Sequence, residues 1–333
     1  MSKIYFLKFN INEKIHSIRS GEANLKKYLK KIVSGINDKT VIYYDEEKNE
    51  VIEYLSMKNI LKKDKDLMDI SSDQSVEEPD EDCSYYKFMS LDHTQKNGDE
   101  IISGRVVRIY GDDWNRFFLD DTGKESLSDH HTPDKTVYVT FSFNVTKEII
   151  GFSPELHFSK EKFMTIFKLL IEKTIPQIGG IELILLIDSR MLLSKFKKID
   201  ILTNFSVDFI PPNGSKNEVS DIIGGLYPYV EESNATKATI ELKAPKKDPI
   251  DKSSKLVEGM LKMAKFAYAV IKGNGTSKDG DVIQIDTSDN KDIVLYSNIP
   301  KSSRDNISVL REETEEKTEY YYKIKREEIE NNE

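Results

Sequence analysis

Apolar and polar residues alternate along many short segments of the chain, which predicts a protein rich in β-strands. The clearest case is Thr136–Phe143, where every second residue is apolar. Such alternation is typical of a strand with one buried face. Ile181–Ile187 is apolar at nearly every position, so we expect a central strand with both faces buried. Further strands are predicted at Ile4–Ile11, Val41–Tyr44, Val51–Leu55, Tyr85–Leu91, Ile101–Tyr110, Arg116–Leu119, Lys147–Phe152, Phe205–Ile210, Lys237–Ala244, Val282–Ile285, Ile293–Tyr296 and Tyr320–Tyr322.

Apolar residues spaced three and four apart predict helices between these strands. The most regular is Leu25–Ile36, which places four lysines on the side opposite its apolar stripe. Ser159 is suited to cap a helix that ends before Pro176, and Gly273 to end another over Lys255–Lys272. Shorter helices are predicted at Met191–Phe196 and Glu218–Tyr227. Together these elements predict an α+β fold with a mixed or mainly antiparallel sheet flanked by helices.

The charges are distributed unevenly, and this divides the 333-residue chain into four segments. Residues 1–63 carry thirteen bases and eight acids (+5), and residues 64–82 carry one base and nine acids (−8). Residues 83–310 carry 30 bases and 32 acids (−2), and residues 311–333 carry five bases and nine acids (−4), which gives the net −9. We predict a small basic N-terminal β-α-β-β unit, an acidic flexible linker or loop, an α+β body and a charged C-terminal tail.

Composition argues against several classes of protein. No apolar run approaches the roughly 18 residues needed to span a bilayer, and the N-terminus lacks the features of a signal peptide. The single cysteine, Cys83, excludes an intramolecular disulfide. A soluble cytoplasmic protein without membrane insertion is therefore expected.

The lysines of the Leu25–Ile36 helix are the first candidate binding residues. Clustered cations bind nucleic acid because phosphate contacts release condensed counterions, although a solvated helix face has the same pattern. The acidic segment 64–82 could occupy this face and compete with nucleic acid, or serve only for solubility. Its removal should tighten salt-sensitive binding only if it competes. The predicted nucleic-acid-binding residues are Arg19, Lys26, Lys27, Lys30 and Lys31.

A histidine and aspartate cluster is the obvious place to look for a metal. Asp129, His130 and His131 follow the pairs Asp112-Asp113 and Asp120-Asp121, and imidazole and carboxylate groups bind transition metals. Neighbouring side chains on an extended loop usually point apart, however, and no i, i+4 pair is present. We interpret the cluster as a solvated loop and predict no metal site there.

The glycine-rich segment Gly273–Gly280 carries Lys278, a combination that occurs in phosphate-binding loops. Here the segment follows a predicted helix and precedes a predicted strand, which is the reverse of the strand-loop-helix order of a P-loop. We therefore interpret it as a helix cap and a turn.

Three residues on two predicted strands suggest a catalytic alternative. Glu241 and Lys243 are two apart on a strand and project to the same face, and Asp208 lies on the preceding strand. Such carboxylates could hold Mg²⁺ while the ammonium polarises an attacked phosphate. The pattern resembles the Asp…Glu-x-Lys motif of restriction-endonuclease-like nucleases, but a weak helix stands where that fold usually has a hairpin. The polar face of a half-exposed strand has the same pattern.

Turn and strand features in the last part of the chain carry a second resemblance. Phe205–Gly214, Glu232–Ala244 and Ala267–Asp281 resemble segments of uncharacterised bacterial proteins found near mobile elements and phage-defence genes. This resemblance, mainly over residues 199–290, implies a role in phage defence or in conflict with mobile elements. It provides no catalytic residues.

The leading hypothesis is a soluble bacterial binding protein that contacts DNA, RNA, or a phage or host protein and works as a homo-oligomer or beside a partner. It requires no cofactor. The first alternative is a nuclease, for which alone Mg²⁺ is expected. The second is a non-catalytic adaptor recruited through the acidic segment.

Overall fold

The computed structural model describes residues 1–45, 48, 50–56, 83–110, 117–119, 125–127, 136–212 and 232–330. The acidic segment 64–82, the Asp129–His131 cluster and the helix predicted over Glu218–Tyr227 lie outside the described residues. The described residues form an α+β fold with antiparallel sheets flanked by helices, as predicted.

Fifteen strands are formed by the described residues. They are β1 (Ser2–Ile11), β2 (Thr40–Asp45), β3 (Glu50–Ser56), β4 (Cys83–Lys96), β5 (Asp99–Tyr110), β6 (Phe117–Leu119), β7 (Glu125–Leu127), β8 (Thr136–Asn144), β9 (Ile149–Ser153), β10 (Ile181–Leu185), β11 (Ile201–Phe209), β12 (Ala238–Lys243), β13 (Ala269–Thr276), β14 (Val282–Asp286) and β15 (Tyr296–Ile299).

Six α-helices accompany these strands in the described part of the chain. They are α1 (Ile15–Ser20), α2 (Leu25–Gly35), α3 (Lys160–Thr174), α4 (Ser189–Lys198), α5 (Lys255–Lys265) and α6 (Ile307–Glu330), with short 3₁₀ turns at Pro176–Ile178 and Lys301–Ser303.

Nine strands form the main sheet, in the order β10-β1-β9-β8-β5-β4-β2-β3, with β15 also paired to β1. Within it Leu7 of β1 lies opposite Ile150 of β9 on one side and Leu185 of β10 on the other. At the far end, β2 pairs with β4. Strands β1, β2 and β3 of the predicted N-terminal unit therefore belong to the same sheet as strands of the body.

The larger hydrophobic core lies between the main sheet and helices α1–α3. Ser159 caps α3, since its hydroxyl accepts a hydrogen bond from the Lys162 amide, and Pro176 starts the 3₁₀ turn that follows. Phe163 of α3 stacks on Phe152 of β9, with ring centroids 4.2 Å apart. Buried aromatic and aliphatic residues of this kind are the main source of fold stability.

Helix α6 covers part of the opposite face of the main sheet. Leu310 and Tyr321 are buried there with Phe6 of β1 and Ile149 of β9. This overturns the expected edge strand at Tyr320–Tyr322, which lies within a 24-residue helix. Three consecutive tyrosines favour a strand only locally, whereas the surrounding glutamates and lysines are good helix formers.

A second, four-stranded sheet has the order β12-β11-β13-β14. Helices α4 and α5 cover one of its faces, where Phe196 and Met260 pack in one core with Phe205 and Ile271. The Asp188 side chain caps α4 by accepting hydrogen bonds from the amides of residues 190 and 191. The other face of this sheet carries mainly polar side chains.

The helix predicted over Lys255–Lys272 is wrong in its second half. The helix ends at Lys265, and Ala269–Thr276 forms β13, which pairs along the whole of β11. Consequently Gly273 lies inside a strand and caps no helix. Gly275 could not carry a side chain, because a Cβ there would overlap Ile199 and the Ile201 backbone. Pairing with a distant strand overrode the local helical spacing.

The prediction of a central strand at Ile181–Ile187 is also wrong. A strand does form there, but β10 stands at the end of the sheet order beside β1, and in the described chain only the residues after it gain partners on the other side, as in the bridge between Ile187 and Val294. Its two apolar faces have a different cause: Leu183 and Leu185 contact the core under α3, and Ile184 contacts the core near α6. Among the described residues, no helix is both long and apolar enough to cross a membrane.

Candidate nucleic-acid interface

Helix α2 forms because its sequence combines a good cap with one apolar stripe. The Asn24 side chain accepts a hydrogen bond from the Lys26 amide at 2.9 Å, which satisfies a free amide of the first turn. Ile32 and the following Ile36 are buried in the larger core, and Leu25 packs against it. This packing fixes the orientation of the helix and leaves its lysines outside.

The four lysines of α2 define the α2 lysine surface: Lys26, Lys27, Lys30 and Lys31. The first three are exposed, and Lys31 is half-buried with its Nζ 5.5 Å from the centre of the Tyr28 ring. Among the described residues, no carboxylate forms an ion pair with any of the four. Since residues 25–35 contain four lysines and no acid, the helix carries a local charge of +4. Within the described part of the chain, these cations are therefore not neutralised by an acid.

Arg19 does not belong to this exposed surface. It lies four residues after Ile15 on α1, so the two side chains share the buried face of that short helix, and Arg19 is only 9% exposed. The prediction that Arg19 contacts phosphate is therefore not supported by its position. Its charge alone gave no indication that it is buried.

The structure does bring Asp208, Glu241 and Lys243 to one face of the second sheet. Asp208 of β11 lies opposite Thr239 of β12, and Ser206 lies opposite Glu241. Cross-strand partners project to the same side, and this side faces solvent. The common face of Glu241 and Lys243 agrees with their spacing in the sequence, whereas the position of Asp208 beside them depends on the register of β11 and β12.

The contacts in this triad are those of a polar surface. The Thr239 hydroxyl donates to Asp208 Oδ1 at 2.7 Å, and Lys243 Nζ lies 2.9 Å from Glu241 Oε2. Lys243 is 67% exposed and Glu241 47%, so water screens both charges. In the described residues, no group of three or more histidines, cysteines, aspartates or glutamates is arranged to hold a metal.

A cleft with a volume of about 910 Å³ lies beside α6. Its walls come from the β4–β5 hairpin, the β8–β9 turn and the outer side of α6. They carry four cations and four carboxylates, partly paired with one another as in Lys96 with Glu315 and Lys147 with Asp99. This balance of charge gives the cleft no preference for an anionic or a cationic ligand.

A group of lysines that the sequence analysis did not single out lies at the far end of the second sheet. Lys197 and Lys198 end α4, and Lys246 and Lys247 lie in the loop between β12 and α5. The two Lys-Lys pairs are the feature of the sequence that could have indicated a cationic surface here. Their separation by about fifty residues concealed it, because only the fold joins the two segments.

Comparison with known proteins identifies a family without assigning an activity. No curated protein matches the chain. Residues 83–315 match the model of the DUF4747 family, which is described as a domain of unknown function. The match starts well before residues 199–290, over which a resemblance was expected, and it bears on neither phage defence nor nucleic acid. Since 233 of the 333 residues fall within it, the chain belongs to the DUF4747 family.

Proposed function

We propose that this protein binds nucleic acid through the α2 lysine surface. The observation that carries the proposal is a +4 helix face whose lysines form no ion pair with the described residues. A cation buried in a folded domain is commonly paired with a nearby acid, as Lys8 is with Glu148, whereas an exposed cation can bind an external anion. Three of the four α2 lysines are instead exposed, on a helix whose apolar stripe packs against the larger core.

The expected interaction is with phosphates and does not depend on base sequence. Each lysine that neutralises a phosphate of duplex DNA contributes about 0.9 to the slope of log K against log salt. Four contacts would therefore give a slope of about −3.6. Binding should be weak at physiological salt and strong at low salt.

Titration of labelled DNA and RNA, single- and double-stranded, tests the proposal by fluorescence anisotropy between 50 mM and 200 mM salt. In the triple variant Lys26→Gln/Lys27→Gln/Lys30→Gln, we expect affinity at about 0.1 M salt to fall at least tenfold. The slope of log K against log salt should become shallower by about 2.7. The control Lys278→Gln/Lys291→Gln/Lys301→Gln removes the same charge from exposed lysines elsewhere. Equal losses in both variants would indicate a net-charge effect and contradict the proposal.

The same samples, incubated with Mg²⁺ and with EDTA, test the alternative function of a metal-dependent nuclease. The common face shared by Asp208, Glu241 and Lys243 favours this alternative. Shortening of the substrate that requires Mg²⁺ and is lost in Glu241→Gln, but retained in Lys30→Glu, would establish it. If the substrate neither shifts nor shortens, a protein partner becomes the better explanation, as in the adaptor hypothesis.

The defence role implied by the sequence resemblance rests on that resemblance alone, and we keep it as part of the proposal. It predicts that bacteria carrying the gene resist a phage and that the triple lysine variant loses this resistance. Plaque counts on the two strains measure the effect.

A further inference from the structure

Lysines from two distant segments meet beside the end of α4. Lys252 Nζ donates to the carbonyl of Ile199, the residue that follows α4. The Ala244 amide donates to Thr203 O and the Ile250 amide to Leu202 O, each at 2.9 Å. These bonds hold the loop over residues 244–252 against the start of β11.

We call this cluster the second lysine surface: Lys197, Lys198, Lys246, Lys247, Lys252 and Lys255. Residues 197–200 and 244–255 contain these six lysines and three aspartates, a net charge of +3. Lys252 is half-buried and the other five are exposed. In the described chain none of the six is in an ion pair, and Asp251 is occupied by hydrogen bonds from the Ser253 amide and hydroxyl.

The loop that carries Lys246 and Lys247 is held in a defined shape. Pro245 and Pro249 fix the backbone on either side, and the Asp248 amide donates to Pro245 O at 3.1 Å to close a turn. A restrained loop loses less conformational entropy when its side chains bind a partner. The two lysines therefore present their charges from a nearly fixed position.

The second lysine surface lies at the opposite end of β12 from the α1–α2 region. His16 of α1 hydrogen-bonds Ala235 O at 3.1 Å, just before β12 begins, whereas the lysine loop follows the last residue of β12. A strand of six residues spans about 20 Å. The α1 contact and the lysine loop are therefore separated by about the length of β12, roughly 20 Å.

We propose that the second lysine surface is a second contact for the nucleic acid that binds the α2 lysine surface. This inference rests on the proposed function. A polyanion with closely and regularly spaced phosphates can reach both surfaces, and joining two weak contacts raises affinity through effective concentration. A duplex of six base pairs spans about 20 Å, so simultaneous contact requires a longer one.

The test uses the full chain with Lys246→Gln/Lys247→Gln, since both residues are exposed and distant from the core. On a 24-base-pair duplex, we expect affinity at about 0.1 M salt to fall about tenfold. The slope of log K against log salt should become shallower by about 1.8. On a hairpin with a six-base-pair stem, the loss should be smaller. Lys278→Gln/Lys291→Gln is the control with the same change of charge.

Unchanged affinity and slope on the long duplex would overturn the inference. Equal losses on the long and short probes would also overturn it, because the two surfaces would then act independently. If the α2 triple variant loses binding while the loop variant keeps it, the proposed function stands and this inference fails. Both fail together if the wild-type protein binds neither probe.

Discussion

At the residue scale, the most demanding environment is that of Lys8, which lies between Leu7 and Phe9 in β1. Its ammonium is 2% exposed and lies 2.7 Å from the Glu148 carboxylate, which the β8–β9 turn presents in a left-handed conformation with φ of 58°. Burial lowers the pKa of Lys8, but the opposite charge of Glu148 and its hydrogen bond outweigh this, and the pKa is raised above its ordinary value. The pair joins β1 to the turn beneath α6.

We predict that Glu148→Gln lowers the free energy of unfolding by about 3 kcal/mol at pH 7, because it leaves a buried ammonium without its counterion. Since the folded-state pKa of Lys8 is raised, its contribution is complete below the unfolded pKa of about 10.4 and is lost progressively as pH rises from there through the folded pKa. The variant should lose this dependence. Urea unfolding at pH 7 and above pH 10 measures both effects.

The matched control for this prediction is Glu316→Gln, which removes the partner of Lys317 in an ion pair whose carboxylate is 66% exposed. Exposed pairs contribute less than about 1 kcal/mol. Similar unfolding free energies for the two variants would show that the Lys8–Glu148 pair is not a significant source of stability.

At the element scale, α6 packs against the main sheet through two buried threonines as well as through Leu310 and Tyr321. The Thr314 and Thr318 hydroxyls donate to the carbonyls four residues earlier, each at 2.6 Å, so both are satisfied although buried. Tyr321 donates to Phe266 O at 2.8 Å, which ties the helix to the end of α5. The close approach depends on Gly151, where a Cβ would overlap the Thr314 hydroxyl.

We expect Gly151→Ala to destabilise the protein by about 2 kcal/mol, because the added methyl group forces α6 away from β9. Adding Thr314→Ala should recover part of this loss by removing the overlapping hydroxyl. In Gly180→Ala the nearest contact of the new methyl group is an ordinary 3.7 Å, so this variant is the control. A double variant as unstable as the single one, in urea unfolding, would contradict this account.

At the scale of the whole molecule, the fold extends beyond the segment that matches the family. Strand β1 lies outside residues 83–315, yet it pairs with β9, β10 and β15 inside them. Without β1, these three strands would lose a backbone hydrogen-bonding partner. The core would also lose Phe6, Leu7 and Phe9. The matched segment is therefore an incomplete structural unit in this chain.

We predict that a fragment of residues 83–315 aggregates or unfolds without cooperativity, because it exposes unpaired strand edges and apolar surface. A fragment of residues 1–315 retains all the strands and should fold, although it lacks the second half of α6. Size-exclusion chromatography and thermal unfolding followed by circular dichroism distinguish the two. A monomeric, cooperatively unfolding 83–315 fragment would show that β1 is dispensable.

The sequence by itself determined the elements whose signals are local. Helix α2, the cap at Ser159 and strand β8 follow from residue spacing and side-chain chemistry over a few turns, and all three are confirmed. The outward position of the α2 lysines and the common face of Glu241 and Lys243 follow from the same periodicities. These features depend on neighbours in the chain, so a single sequence contains the information.

Only the tertiary structure decided the features that depend on distant partners. Residues 269–272 extend β13 rather than α5 because β11 offers a full row of backbone partners. Arg19 is buried because it lies on the face of α1 that packs against the rest of the protein. The end of α4, which carries Lys197, lies beside the loop of Lys246 because backbone hydrogen bonds join segments about fifty residues apart. Such contacts are selected by the free energy of the whole packed chain, which local pattern does not specify.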